Sequence, residues 1–206
     1  MIAIMIKPKY DRDHISVNGG HGVFGMRVTQ EQMQENRRRI LAAASRLYRE
    51  KGYDAVGVAE VMKAAGLTHG GFYGHFTSKE DLMAQAIAHA TSEVSGRGDD
   101  LREFVAKYLS PAHRDDAADG CPMAALAADV RHRPPAARSA MTTGIRAQIA
   151  RLTLALPDSV TAHKRGEAIG TYAALIGALI LARAVDDPAL SDEILAETRA
   201  WMGSDA

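Results

Sequence analysis

The eighteen residues from Ala65 to Leu82, AGLTHGGFYGHFTSKEDL, constrain the fold of this chain more than any other stretch. They hold a glycine stop after an apolar helical pattern, a short segment with paired glycines, and a Ser-x-x-Asp start signal for another helix. Phe72 and Phe76 stand four apart, so they share one side of a helical turn and can anchor it. Thr68, His69, Tyr73, His75 and Lys79 are left as polar tips around that anchor. Such a segment presents a surface to something outside the chain.

The flanking sequence supplies the rest of a helical unit. Thr29 can cap a helix that runs to Lys51 and stops at Gly52, with Ile40, Leu41, Ala44, Leu47 and Tyr48 as its apolar stripe. A second helix carries Val58, Val61, Met62 and Ala65 at helical spacing, starts at Gly57 and ends at Gly66. A third, short helix is predicted from about His69 to Phe76, and a fourth from Ser78, paired with Asp81 in a capping box, to about Ser95. Two helices joined by a tight glycine-containing turn and backed by a third form a helix-turn-helix arrangement. Further helices are predicted at about 99–109, 121–132, 135–156, 159–185 and 188–202, with 110–120 as a polar loop. Pro134, Pro135 and Pro157 mark breaks, and Asp187-Pro188 a helix start.

Composition agrees with closely packed helices. Of 206 residues, 47% are hydrophobic, alanine dominates, and aromatics make up only 5%. The 25 basic and 25 acidic residues cancel, so no global field draws nucleic acid and any attraction must be local. From Arg27 to Lys51 seven basic residues face three acidic ones, which makes the first helix the expected cationic patch. The single cysteine, Cys121, excludes an intramolecular disulfide and fits a reducing cytoplasm. Residues 1–28 lack a helical or strand period and read as a tail, or as sequence upstream of a start at Met26. They lack the apolar core and cleavage site of a signal peptide. The apolar run Ala168–Ala182 is fifteen residues and reads as a buried helix, short of a membrane span. No G-x-S-x-G elbow, phosphate-binding glycine loop or H-E-x-x-H is present, so an enzyme is not expected.

In a recognition helix the N-terminal side chains reach base edges and flanking groups hold phosphates. Thr68 and His69 are placed to read bases. Gly70 and Gly71 let the backbone come close. Tyr73, His75 and Lys79 are expected phosphate contacts, the last beside the free N–H groups of a helix start, and Arg38 of the basic run joins them.

The stretch ILAAASRLYREKGYDAVGVAEVMKAAGLTHGGFYGHFTSKEDL, within Arg39 to Ala84, resembles the DNA-binding domain of the TetR family of one-component bacterial repressors. The Gly-Tyr helix end, the Ala-Gly-Leu turn, Phe-Tyr-x-His-Phe and Ser-Lys-Glu carry the resemblance. Two places depart from it: Val56-Gly57 stands where a hydroxyl cap is common, and Gly70-Gly71 replaces bulkier residues. Weaker similarity runs through YLSPAHRDDAADGCPMAAL and AVDDPALSDEIL. The resemblance implies an all-α homodimer: a tail (1–28), an N-terminal helix-turn-helix three-helix domain (29–82), and a larger helical ligand-binding and dimerisation domain (83–206). It further implies binding to double-stranded operator DNA in successive major grooves, with release by a small-molecule effector. No cofactor, metal or membrane is expected.

Phe104, Tyr108, Met123, Leu126, Met141, Ile145, Gln148 and Tyr172 are the expected pocket residues, apolar with a few polar tips. Gly170, Ile176, Gly177, Ile180, Ile194 and Trp201 are expected on a dimer face, with Leu195 beside them. Cys121, followed by Pro122 at a helix start, is a candidate reactive thiol, opposed by Asp115, Asp116 and Asp119. Electrophile- and oxidant-sensing members of the family carry a cysteine in comparable surroundings, so a thiol-based sensor is one alternative. A helical ligand-binding or interaction module without DNA binding is another. His113 with Asp115 and Cys121, or Asp129 with His132, lack the closed spacing of a zinc site.

Overall fold

The computed structural model describes residues 29–94, 100–156 and 163–204, and among them every regular element is helical. The order is α1 (Gln30–Lys51), α2 (Val58–Ala64), a 3-10 helix (His69–Gly74), α3 (Lys79–Val94), α4 (Leu101–Tyr108), α5 (Pro111–Asp115), α6 (Pro122–Val130), α7 (Pro135–Ala155), α8 (Lys164–Ala184) and α9 (Pro188–Ser204). The expected tail at 1–28, the start of a helix at 99, and the predicted residues 157 and 159–162 lie outside the described residues.

Capping chemistry explains the first boundaries. The Thr29 hydroxyl accepts from the Gln32 amide at 3.2 Å, and Gly52 closes α1 at φ 79° with its N–H on the Tyr48 carbonyl. Gly66 takes φ 68°, and the Leu67 amide bonds back to the Met62 carbonyl at 2.8 Å. The third helix is shorter and tighter than the expected 69–76. Gly70, Gly71 and Gly74 weaken an α-helix by about 1 kcal/mol each, and the segment settles into a 3-10 helix that stops at Gly74. The start of α3 is capped as expected: Ser78 Oγ accepts from the Asp81 amide at 3.1 Å. Asp81 Oδ2 reaches back to the amide of Thr77, one residue earlier than the usual partner, at 2.9 Å. The loop expected at 110–120 contains α5, because Ser110 caps it by accepting from the His113 amide and Pro111 sits in its first turn.

Ile40, Ala44, Tyr48, Tyr53, Val61, Met62, Phe72 and Phe76 form the small N-terminal core. α3 crosses the boundary expected at 82/83 without a break. Leu82 joins the small core, while Ala86, Ile87 and Ala90 continue along α3, which packs extensively against α7 as well as α1. Ion pairs at Asp54 and Asp119 tie the halves together. Arg133 grips the Asp54 carboxylate with two bonds at 2.8 and 2.7 Å, and Arg46 pairs with Asp119.

α8 is 21 residues and holds an 18-residue window of mean hydropathy 1.4, enough by length and composition to cross a membrane, a test that buried core helices also pass. It nevertheless buries Ala168, Tyr172, Leu175, Ala178, Leu179 and Ala182 against α7 and α9. Its other side carries Ile169, Gly170, Ile180 and Leu181 outward; Trp201 of α9 is 59% exposed. A Cβ on Gly170 or Gly177 would meet nothing within 4 Å. Ile176 and Ile194 are half-buried against the core. Leu195 faces inward and is only 2% exposed, so it leaves the expected dimer face.

α3 and α7 pack tightly at Gly144, where a Cβ would lie 2.4 Å from Thr91 Cγ2. Gly144→Ala should therefore cost about 1–3 kcal/mol by overpacking and lower the melting temperature by roughly 2–12 °C, read by thermal unfolding. An unchanged melting temperature would show that the two helices part freely.

Candidate nucleic-acid interface and ligand cavity

The tip of the N-terminal domain is built from the inside out. Phe72 and Phe76 stack at 5.7 Å between ring centroids, both buried, and hold the 3-10 helix against Met62 and α3. Thr68, His69, Gly70, Gly71 and Tyr73 are all turned to solvent, Tyr73 being 75% exposed. The Thr68 hydroxyl makes no capping bond. A Cβ on Gly70 would meet nothing within 4 Å, and one on Gly71 only ordinary contacts at 3.7 and 4.0 Å. Neither glycine is demanded by the chain's own packing. His75 and Lys79 are half-buried at the end of the tip and the first turn of α3. Burial, then the nearby Arg37 charge, holds the His75 ring below its usual pKa.

Arg37 is the residue that sequence reasoning passed over here. Its guanidinium donates to the His75 carbonyl and to Gln85 Oε1, and it lies over the Phe76 ring at 4.6 Å. It thus fixes the recognition turn to both α1 and α3. Three consecutive arginines gave no signal of which one turns inward.

The expected cationic patch on α1 is not one face. Arg38 remains exposed and pairs with Glu35 at 2.7 Å, Lys51 pairs with Glu60 at 2.8 Å, and Arg39 lies against Gly66. Arg46 and Arg49 turn the other way, to Asp119 and the Ala118 carbonyl. Arg27 lies outside the described residues. Charge counting along the chain could not see that the helix presents these side chains in several directions.

A cavity of about 560 Å³ opens among α3, α4, α7 and α8 under the 110–123 segment. Phe104, Tyr108, Met123, Gln148 and Tyr172 line it as expected. Leu126, Met141 and Ile145 do not. Leu126 and Met141 sit one turn toward the α6–α7 connection, where the helices close on each other, and are 3% exposed each; Ile145 packs beside them. Arg49, Thr91, Gly144 and Arg151 complete the walls. Arg151 places its guanidinium 4.3 Å over Phe104.

His113, absent from the expected pocket, organises the cavity's rim. The Cys121 amide donates to its Nε2 at 3.1 Å, so Nδ1 carries the proton and donates to the Tyr108 carbonyl at 2.7 Å. Burial keeps its pKa below the ordinary value. Both nitrogens are engaged within the chain, so His113 is not placed as a metal ligand, and no cluster of three metal-ligating side chains occurs among the described residues. Arg183 donates to the His113 and Arg114 carbonyls at 2.8 and 2.9 Å and braces the same loop. Cys121 is the residue before α6, 8% exposed, beside the Tyr108 and Tyr172 hydroxyls. Burial, then the adjacent thiol, pushes both phenols well above their ordinary values.

Residues 40–86 match the family described as bacterial regulatory proteins, tetR family, and residues 98–198 match the tetracyclin repressor-like C-terminal domain. The transcriptional regulator AcrR of Shigella flexneri is 35% identical over 82 residues, covering 40% of this chain and 37% of AcrR. TtgR of Pseudomonas putida is 35% identical over 68 residues, 33% of this chain and 32% of TtgR. The match therefore spans about a third of the length of each. NemR, a transcriptional repressor of Escherichia coli, is 29% identical over 141 residues, covering 63% of this chain and 71% of NemR. The crystal structure of reduced E. coli NemR superposes with a TM-score of 0.66 at 25% identity, over 81% of this chain and 94% of that one. A regulator from Agrobacterium tumefaciens shares the fold at TM-score 0.67 and 22% identity, over 82% of this chain and 97% of its own.

The His113 geometry gives a pH prediction. The folded pKa is lowered from 6.5, so the stability it contributes is present above about pH 6.5 and is lost as pH falls through the folded value. Melting temperatures between pH 7.5 and 5 should fall more for the wild type than for His113→Gln, whose amide can accept from Cys121 without titrating. Equal losses would remove His113 as the source.

Proposed function

On the premise that the chain belongs to the tetR family of bacterial regulatory proteins, we propose that it is a homodimeric, cytoplasmic transcriptional repressor released from operator DNA by a small molecule. The observation that carries this reading is the outward tip from Thr68 to Tyr73, with its side-chain-free Gly70-Gly71 backbone and no packing reason for either glycine. Thr68 and His69 read base edges. Tyr73, His75, Lys79 and Arg38 hold phosphates and set the register. Arg37 is a positioning residue that keeps the tip at the angle the groove requires.

Two such tips must stand one helical turn of DNA apart, about 34–36 Å. The outward side of α8, with Gly170, Ile180 and Leu181, and Trp201 of α9 supply an apolar face for the partner copy. The cavity is the effector site. A ligand that fits better when the spacing is wrong shifts the population off DNA. Coupling runs along two routes. α3 forms part of the cavity wall and continues into the recognition domain. The 116–121 loop lines the cavity on one side and holds Arg46 and Arg49 of α1 on the other.

A second reading rests on the position of Cys121 in the cavity wall beside two tyrosines, together with likeness to a repressor whose structure is described as a reduced form. In that reading modification of the Cys121 thiol releases the operator. Maleimide labelling that leaves DNA affinity unchanged would sink it.

Gel shifts and footprints over DNA flanking the gene should show a two-fold site, with log affinity falling linearly in log salt. Lys79→Ala should reduce the magnitude of that slope by about two for a dimer, since each phosphate contact contributes about 0.9. A slope equal to the wild type's would remove Lys79 from the phosphate contacts. Ile180→Glu should yield monomers by analytical ultracentrifugation and abolish the shift; a dimer that survives it would place the interface elsewhere.

A further inference from the structure

The cavity wall carries buried polar side chains whose hydrogen-bonding capacity the described residues do not exhaust. Gln148 is 4% exposed and lines the cavity from α7. The Tyr108 hydroxyl is buried beside the Cys121 thiol, in a residue 7% exposed, and has no oxygen or nitrogen partner among the described residues. A buried hydroxyl without an oxygen or nitrogen partner is costly to keep, so the Tyr108 hydroxyl, with the Gln148 amide in the same wall, indicates groups kept for a visitor. Gln148, Gly144 and Arg151 fall on one side of α7 at steps of four and three, which aims them at the same space.

The remaining walls define the visitor. Phe104, Tyr108 and Tyr172 offer ring surfaces and Met123 a soft thioether, so the occupant is flat and apolar over most of its area. About 560 Å³ suits a molecule of two or three rings. Asp119 is already held by Arg46 and Arg49, leaving Asp116 as the acidic wall residue outside that ion pair, against Lys107 and Arg151. The Tyr108 hydroxyl and the Gln148 amide can each donate a hydrogen bond.

We propose that the effector is a planar aromatic carboxylate, its rings between Phe104, Tyr108 and Tyr172 and its carboxylate on the Tyr108 hydroxyl and the Gln148 amide. This deepens, and rests on, the reading of the cavity as an effector site.

Titration calorimetry of the full-length protein with 2-naphthoate, 2-naphthalenemethanol and 2-naphthylmethylammonium tests it. The carboxylate should bind at least about tenfold tighter than either of the others, as a hydrogen bond to a charged group allows. Tyr108→Phe should weaken 2-naphthoate about tenfold, while the melting temperature stays unchanged or rises because a buried hydroxyl without an oxygen or nitrogen partner has been removed. Gln148→Leu should weaken it similarly and leave circular dichroism unaltered. The proposal is overturned if the alcohol or the ammonium binds as tightly, if none of the three binds, or if both variants keep the wild-type affinity. A gel shift run alongside separates the two readings. DNA binding without 2-naphthoate binding defeats the ligand class alone, and 2-naphthoate binding without DNA binding defeats the repressor reading alone.

Discussion

The contact between Thr91 of α3 and Gly144 of α7 is the constraint on which the rest of the molecule depends. α3 has to serve two cores at once. Its first turns close the recognition domain through Leu82, and its later turns lie against α7. That double duty is possible only where the backbones can approach, and Gly144 is the place where a side chain would sit within 3 Å of its neighbours. The cavity lies beside this contact, with Thr91 and Gly144 in its wall. The cavity therefore borders the helix that both halves share.

A second link runs outside α3. Residues 116–121 form a short segment whose inner side faces the cavity and whose outer side meets α1 through Asp119 and Ala118. His113 accepts from the Cys121 amide at the end of this segment, and Arg183 braces the residues before it by donating to the His113 and Arg114 carbonyls. Arg133 on Asp54 ties the other side of the small domain to the start of α7. The recognition domain is thus held at two points besides the shared helix, and a shift in any one changes the angle at which the tip is offered.

Much of this was legible in the sequence because it rests on local chemistry. Thr29, Gly52, Gly66 and Ser78 mark helix ends where capping and left-handed backbone require them, and the structure places them there. Phe72 and Phe76 were readable as anchors from their spacing alone. What escaped was tertiary. Which arginine of 37, 38 and 39 turns inward depends on where α3 lies, and the basic run scattered because the helix points its members several ways. The pocket was legible by residue type at Phe104, Tyr108, Met123, Gln148 and Tyr172. It failed at Leu126, Met141 and Ile145, because amino-acid type does not separate a cavity wall from the core one turn away. His113 escaped because its importance lies in two hydrogen bonds to main-chain groups, which leave no pattern in the sequence.

The bare backbone at Gly70 and Gly71 has a consequence for how such a protein changes over generations. Most positions in a compact domain resist enlargement because neighbours already occupy the space. Here a new side chain at Gly70 would project from the fold without disturbing it. Replacing glycine would also stiffen the unfolded chain less favourably for disorder, a mild gain for the native state. In the proposed DNA-bound state that space belongs to the operator, so the constraint on this position lies outside the chain: a single codon change there alters the surface offered to DNA while the scaffold stays intact. Divergence of operator preference among descendants of this chain has a path through that one position that the fold itself does not obstruct.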